Sequence, residues 1–198
     1  MSSSERRRGR LIVISGPSGT GKTSICESLL RRDADAVWSI SATTRPPRGN
    51  EKSGSSYEYI SREEFEARRE RDEFLEWAEY VGHLYGTPAK PAFEAMDAGR
   101  NVVMEIDVQG GAQVAKRVPA SVRIFVLPPT MDSLKARLEG RHTESAEQLA
   151  KRLAEADGEI GFARDSGCYR HFVVNDVLED TVAEIEGIIR SETENADR

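Results

Sequence analysis

The feature that most constrains this chain is the run Gly16-Pro17-Ser18-Gly19-Thr20-Gly21-Lys22-Thr23. It matches G-x-x-x-x-G-K-[ST] at every fixed position. A short β-branched run, Leu11 to Ser15, precedes it and reads as a buried strand. From Thr23 to Arg32 the pattern turns helical, with Ile25, Leu29 and Leu30 on an apolar face and Arg31 and Arg32 at the end where the helix dipole favours cations. A strand that enters a glycine-rich turn and leaves as a helix aims several backbone N–H groups at one anion. In such a loop Lys22 is placed to reach the β- and γ-phosphates, and the Thr23 hydroxyl to ligate Mg²⁺ directly. Residues Gly16 to Thr23 are therefore expected to hold a nucleotide's phosphates.

The rest of the composition narrows the class. The chain has 198 residues, with 28 basic and 34 acidic side chains, so its net charge is 28 − 34 = −6. That balance argues against general nucleic-acid coating, so any phosphate must be met by positive charge focused locally. The longest apolar runs, Leu11–Ile14 and Ile124–Leu127, fall far short of the roughly 20 residues of a membrane span. Two cysteines, Cys26 and Cys168, have no metal-ligand spacing and make a disulfide framework improbable, so a cytoplasmic setting is expected. The Ser- and Arg-rich start, residues 1–9, reads as a disordered, solvated tail.

Strands are expected at Leu11–Ser15, Val37–Ser41, Tyr57–Ile60, Val102–Ile106, Val122–Leu127 and Phe172–Val174. Helices are expected at Thr23–Arg32, from the capping signal Ser61-Arg62-Glu63-Glu64 to Arg71, and at Met131–Glu139, Ser145–Phe162 and Thr181–Arg190. Alternating strands and helices imply an α/β fold with a mainly parallel sheet covered on both faces. Two segments break the rhythm, roughly Thr43–Ala95 and Thr130–Gly161. Both read as insertions that carry arginines.

A phosphate-binding loop leaves several reactions open. A guanine-reading N-K-x-D, which a GTPase needs, is absent, since Asn175-Asp176 lacks the Lys. Glu105 and Asp107 resemble the paired acids of a motor ATPase, but the chain leaves little room for motor machinery. Two arginine-bearing insertions suit a kinase that closes over two substrates. Arg45 and Arg48 flank Pro46-Pro47, and proline stiffens the loop that presents them. Arginine suits bidentate phosphate recognition, and the Tyr57 and Tyr85 hydroxyls can serve the same anion. A solvated basic loop with structural tyrosines is the plain alternative.

In order, GPSGTGKT, SATTRPPR, Gly54-x-x-Tyr57, Phe74-Leu75-Glu76-Trp77-Ala78, Tyr85-Gly86-Thr87 and Glu105-Ile106-Asp107-Val108-Gln109-Gly110 resemble guanylate kinase. So do Pro128-Pro129, Leu134-x-x-Arg137-Leu138-x-x-Arg141, Lys151-Arg152-Leu153 and Val174-Asn175-Asp176, and the likeness runs from about Arg10 to Arg190. The resemblance implies a P-loop three-layer α/β/α fold with a mainly parallel five-stranded core sheet, spanning 10–42, 96–129 and 162–198. Residues 43–95 would form a GMP-binding insertion and 130–161 a helical lid. ATP would sit on Gly16, Pro17, Ser18, Gly19, Thr20, Gly21, Lys22 and Thr23, with Asn175 and Asp176 near the adenine. GMP would meet Ser41, Arg45, Arg48, Tyr57, Glu76, Tyr85, Thr87 and Asp107. Lys22, Arg48, Arg137, Arg141 and Arg152 would be catalytic. Mg²⁺ would accompany ATP, held by Thr23 and, through water, by Glu105 and Asp107. The partners implied are ATP and GMP, with no nucleic acid, membrane or obligate protein partner. Three departures from the family's usual residues stand at Asn50 before Glu51, at Ser56 and at His142.

The residue types suit the reaction. Phosphoryl transfer is mostly positioning and charge neutralisation. Arg137 and Arg141, spaced i,i+4, share one helix face. A carboxylate at Glu76 would accept both donors on guanine's Watson–Crick edge and repel adenine's N1. Without the resemblance, Glu76 reads as a surface carboxylate beside a packed Trp77. The arginines of an empty cleft repel one another, so an open apo form is expected, with those side chains several ångströms from a competent geometry. A P-loop kinase with another acceptor, such as a ribose bisphosphate, and a phosphopeptide-binding scaffold module remain as alternatives.

Overall fold

The computed structural model describes residues 8–49, 51–54, 57–140 and 145–195. Along the chain run β1 (Leu11–Ser15), α1 (Lys22–Arg32), β2 (Val37–Trp38), β3 (Ala42–Thr43), β4 (Glu58–Tyr59), α2 (Arg62–Glu70), β5 (Phe74–Tyr80) and β6 (His83–Pro88). They are followed by α3 (Ala89–Asp97), β7 (Val102–Glu105), α4 (Val108–Arg117), β8 (Val122–Leu127), α5 (Met131–Glu139), α6 (Ala146–Asp165), β9 (His171–Val174) and α7 (Leu178–Asn195).

Five strands form the core sheet in the order β2-β7-β1-β8-β9, every pair parallel. Buried on both faces, β1 shows how its residues divide. Ile12 and Ile14 pack with Ile25 and Leu29 of α1 and Val182 and Ile185 of α7. Leu11 and Val13 pack with Ala92 and Met96 of α3 and Val114 of α4. This period of two puts helices on both faces, so the three-layer α/β/α architecture expected above is the one found. The chain fills the β7 side of β1 before the β8 side. The strand order therefore reverses at β1, where open α/β sheets leave a crevice at the strands' carboxyl ends.

A second, four-stranded sheet has the order β4-β3-β6-β5. Phe65 of α2 covers it with Phe74 and Leu84, and the Phe65 and Phe74 rings stack 4.4 Å apart. The strand expected over Val37–Ser41 is short for this reason: after Trp38 the chain leaves the core sheet, and Ala42–Thr43 pairs with β6 instead.

Some elements differ from expectation. The β5–β6 hairpin and α3 carry no clear sequence signal. Helix α3, which begins within 43–95, packs its Ala89, Ala92 and Met96 into the core rather than the second sheet. Helix α6 runs past 161 and buries Ala163 beside Val108 and Phe125. Of the expected tail, Gly9 donates to the Met96 carbonyl at 2.8 Å and Arg8 pairs with Asp97, so these two residues are joined to α3; residues 1–7 lie outside the described residues.

Candidate active site

The P-loop leaves β1 at Ser15 and turns through Gly16, Gly19 and Gly21, all at positive φ. Gly21 caps α1 in the left-handed region at φ 88°, and a Cβ there would stand 2.4 Å from the Asn175 amide nitrogen. Only glycine meets both conditions. Lys22 folds its ammonium over the loop, donating to the carbonyls of Gly16 at 2.7 Å and Pro17 at 3.0 Å. The Thr23 hydroxyl donates to Glu105 Oε2 at 2.9 Å, because β7 lies beside β1 with Glu105 in register with Ile14. Among the described residues no cluster of three or more His, Cys, Asp or Glu could hold a metal ion. Thr23 and Glu105 nevertheless form a pair of hard oxygens, and Mg²⁺ characteristically takes one or two protein oxygens and completes its shell with phosphate and water. The donor set therefore fits that ion.

Asn175 stands elsewhere than a side chain presented to a base would. Its amide nitrogen donates to the Thr20 carbonyl at 2.7 Å and its amide oxygen accepts from Thr181 at 3.1 Å. The side chain is thus spent bracing the P-loop from behind. Its backbone carbonyl accepts from Arg137 Nη2 at 2.9 Å, so Asn175 joins the P-loop to α5. Asp176 follows it, exposed, ahead of α7. Arg152 on α6 approaches from the other side, Nη1 3.5 Å from Ser18 Oγ. One lid-side arginine thus lies beside the P-loop. Arg141 and His142 lie outside the described residues.

On the acceptor side, β5 carries an irregular register between Phe74 and Glu76. Three successive residues are buried as a result, where a regular strand would alternate. Phe74 enters the second sheet's core, Leu75 enters the main core, and Glu76 turns into the cleft. Glu76 is 7% exposed and Trp77 36%, the reverse of the surface-carboxylate reading. Thr87 on the neighbouring strand donates to Glu76 Oε1 at 2.6 Å, and Ser41 Oγ lies 3.3 Å from the Thr87 hydroxyl. Burial pushes the Glu76 carboxyl up to about 7, with the Asp107 charge adding to the shift and the Thr87 bonds opposing it. Gly110 faces this carboxylate so closely that a Cβ would stand 3.0 Å from Oε2. Asp107 caps α4, its Oδ1 accepting from Gly110 N at 2.7 Å.

A basic site lies between β3 and β4. Arg45 is 6% exposed, and its guanidinium sits 5.5 Å from the Tyr57 ring centre and 5.9 Å from that of Tyr59. Tyr57 and Tyr85 meet edge to face at 5.9 Å. Burial raises the Tyr57 hydroxyl's pKa, which keeps it a donor. Arg48 projects its exposed side chain from the same loop. Sequence reasoning missed the residue that organises these groups. Glu51 accepts from Arg45 Nη2 at 3.0 Å, from the Arg48 backbone N–H at 2.8 Å and from the Tyr59 hydroxyl at 2.8 Å. Its only sequence signal is an acid three residues after Arg48 in an otherwise basic loop. Gln113 of α4 was missed as well. Its amide exchanges hydrogen bonds with both backbone groups of Trp77, at 3.1 and 2.9 Å, and so fixes β5 against α4.

The structure thus brings the P-loop, Thr23 and Glu105 to one end of a cleft, and Ser41, Glu76 and Thr87 to a buried polar pocket. Arg45, Tyr57 and Tyr85 cluster nearby. Such a site can hold polyanions and read an edge bearing adjacent hydrogen-bond donors. Comparison with known proteins agrees in kind. A family profile for guanylate kinase matches residues 8–192. The guanylate kinase of Halalkalibacterium halodurans is 44% identical over 188 residues, covering 95% of this chain and 91% of that protein. That of Thermus thermophilus is 46% identical over 191 residues, covering 96% and 84%. The crystal structure of guanylate kinase from Anaplasma phagocytophilum superposes with a TM-score of 0.73 at 31% identity, covering 95% of this chain and 88% of that one.

Proposed function

The chain belongs to the guanylate kinase family and phosphorylates GMP from ATP, giving ADP and GDP, and from that premise we propose which of its residues do the work. A GMP phosphate oxygen forms a bond to the γ-phosphorus of ATP while the bond to the β,γ-bridging oxygen breaks. The attacking oxygen is already anionic near neutral pH, so no strong general base is required.

The donor lies on Gly16 to Thr23, which supply backbone N–H groups, and Lys22 swings from the Gly16 and Pro17 carbonyls to the β- and γ-phosphates. Thr23 and Glu105, with Asp107 through water, would hold Mg²⁺, which when bound neutralises phosphate charge. Arg137, Arg141 and Arg152 cover the transferring group, and an arginine in that role is worth about 10³–10⁵ in rate in related P-loop chemistry. Asn175 acts by bracing the loop and anchoring Arg137, and Asp176 stands at the rim near the donor base. Arg45, Arg48, Tyr57 and Tyr85 grip the GMP phosphate. We divide the chain functionally as before, with a GMP-binding insertion within 43–95 and a lid within 130–161. Free Cys26 and Cys168 suit a reducing cytoplasm. ATP and GMP are the only partners this reading needs.

The observation that carries the base assignment is the buried Glu76 carboxylate between Thr87 and Gly110. Guanine presents N1–H and a 2-amino group side by side, and a carboxylate accepts both. Adenine presents an N1 lone pair there and would leave the carboxylate opposed. Sites built on such bonds reject an analogue by roughly 10⁴–10⁵. The test is Glu76→Gln. GMP turnover should fall sharply and the ratio of kcat/KM for GMP over AMP should shrink, because the amide's NH₂ can meet adenine N1. A variant that keeps the wild-type ratio would remove Glu76 from base selection.

A further inference from the structure

The core sheet carries a second cationic cavity, at the amino ends of β1, β8 and β9, opposite the P-loop. Arg10 immediately precedes β1, Arg123 lies on β8, Arg170 and His171 stand at the start of β9, and Glu192 comes from α7. Together they line a cavity of about 260 Å³. The P-loop leaves β1 at its far end, roughly 16 Å away at the rise of a five-residue strand. None of these residues takes part in the phosphoryl transfer described above.

Arg123 is the centre of the case. It is 7% exposed, yet among the described residues it forms no ion pair. Nε donates to the Cys168 carbonyl at 2.6 Å. Nη1 donates to the carbonyls of Ser121 at 3.0 Å and Pro119 at 3.1 Å and to the Ser121 hydroxyl, with Val118 at the limit. Nη2 makes no hydrogen bond to any described residue. A buried guanidinium cannot shed its proton, so carbonyl dipoles only partly offset this charge. Burial, with Arg170 nearby, disfavours the charged form further. Arg10 spends one nitrogen on the Glu192 carbonyl at 3.3 Å. The single acid on the wall, Glu192, is already bonded to His171 Nε2 at 3.0 Å. Three arginines thus face one carboxylate, in a chain whose overall charge is negative.

From this geometry we propose that the cavity is a binding site for a small phosphate anion, orthophosphate or diphosphate, distinct from the catalytic cleft. Arginine forks match phosphate oxygens, and the anion supplies the acceptor that Nη2 lacks. The volume, about 260 Å³, lies below the roughly 300–1,000 Å³ of pockets that enclose a drug-sized ligand and suits an inorganic anion.

The experiment is calorimetric titration of diphosphate, and separately of orthophosphate, into the full chain. The catalytic cleft is first filled by a bisubstrate analogue joining adenosine to guanosine through a pentaphosphate. Saturable binding at one anion per chain is expected. Arg170→Ala, an exposed position, should weaken it about tenfold or more while leaving turnover of ATP and GMP at the wild-type level. Arg10→Ala provides a second variant that spares the buried Arg123. No saturable heat with the cleft filled, or affinity unchanged in both variants, would overturn the proposal. Either result leaves the catalytic assignment intact, because the activity is read separately.

Discussion

Glu76, the proposed reader of the acceptor base, is a side chain whose burial works against its own charge. Its pKa near 7 lies above the ordinary 4.5, so between those values the folded protein holds a proton that the unfolded chain releases. Burial of the anion thus costs stability fully above pH 7 and not at all below 4.5, by about 3 kcal/mol. Glu76→Gln should therefore raise the Tm of the ligand-free protein at pH 8 and change it little at pH 4.5; an unchanged Tm at pH 8 would contradict the burial argument. In the proposed role the functional sign is opposite, since guanine's two donors would need the anion. Affinity for guanosine should fall about tenfold per pH unit below 7, and that slope should vanish in Glu76→Gln. Guanosine is the right probe, because a phosphate monoester has its own ionisation near pH 6. Glu51 acts differently. It neutralises the buried Arg45 and ties Arg48 N–H and Tyr59 to one carboxylate. Glu51→Ala should raise KM for GMP about 10–100-fold, as expected for charge-assisted bonds lost, with kcat within a few-fold of wild type. A loss confined to kcat would assign Glu51 to the transfer step instead. Glu76 was visible in the sequence only through resemblance, because no local pattern distinguishes a buried carboxylate from a surface one. Glu51 was overlooked because its role exists only once the loop has folded around it.

At the scale of elements, what could be read and what could not divide by locality. Strand β1, the P-loop and α1 follow from short-range signals: a β-branched run, glycines at fixed spacing and an apolar helical face. The β5–β6 hairpin does not. Its turn places Val81 and Gly82 at φ 49° and 76°, the left-handed pair a tight hairpin demands, but valine is no turn signal. The three buried positions in a row on β5 obscure the alternation that would mark a strand. Helix α3 was folded into the expected insertion because its partner surface, the face of β1 and β7, is remote in sequence. One contact between elements invites a test. Gln113 on α4 takes the place of a strand partner for Trp77, the residue that follows Glu76. Gln113→Ala should cost about 1–2 kcal/mol in chemical denaturation and raise KM for GMP, with KM for ATP unchanged. Equal increases in both constants would mean general loosening rather than a specific support for β5.

For the molecule as a whole, the cleft is assembled unevenly. Leu134 and Leu138 of α5 pack against Gly19, Arg137 is tied to Asn175, and Arg152 reaches Ser18. On the donor side these contacts already link α5 and α6 to the P-loop. The second sheet joins the core through Leu75 of β5, through Gln113 to Trp77 and through Arg117 to Asp72. Closure should therefore come mainly from the acceptor side. Small-angle scattering should show most of the fall in radius of gyration with GMP alone. A fall produced only by a non-hydrolysable ATP analogue would place the moving part in the 130–161 segment instead. The central claim is that this cleft transfers phosphate from ATP to GMP and selects guanine by a buried carboxylate. The most direct test is ADP formation from ATP in a coupled assay, with GMP, AMP, CMP and UMP supplied in parallel at equal concentration. The account predicts rapid turnover with GMP and rates at least about 10³-fold lower with the other three. Comparable turnover with AMP, CMP or UMP, or none with GMP, would contradict it.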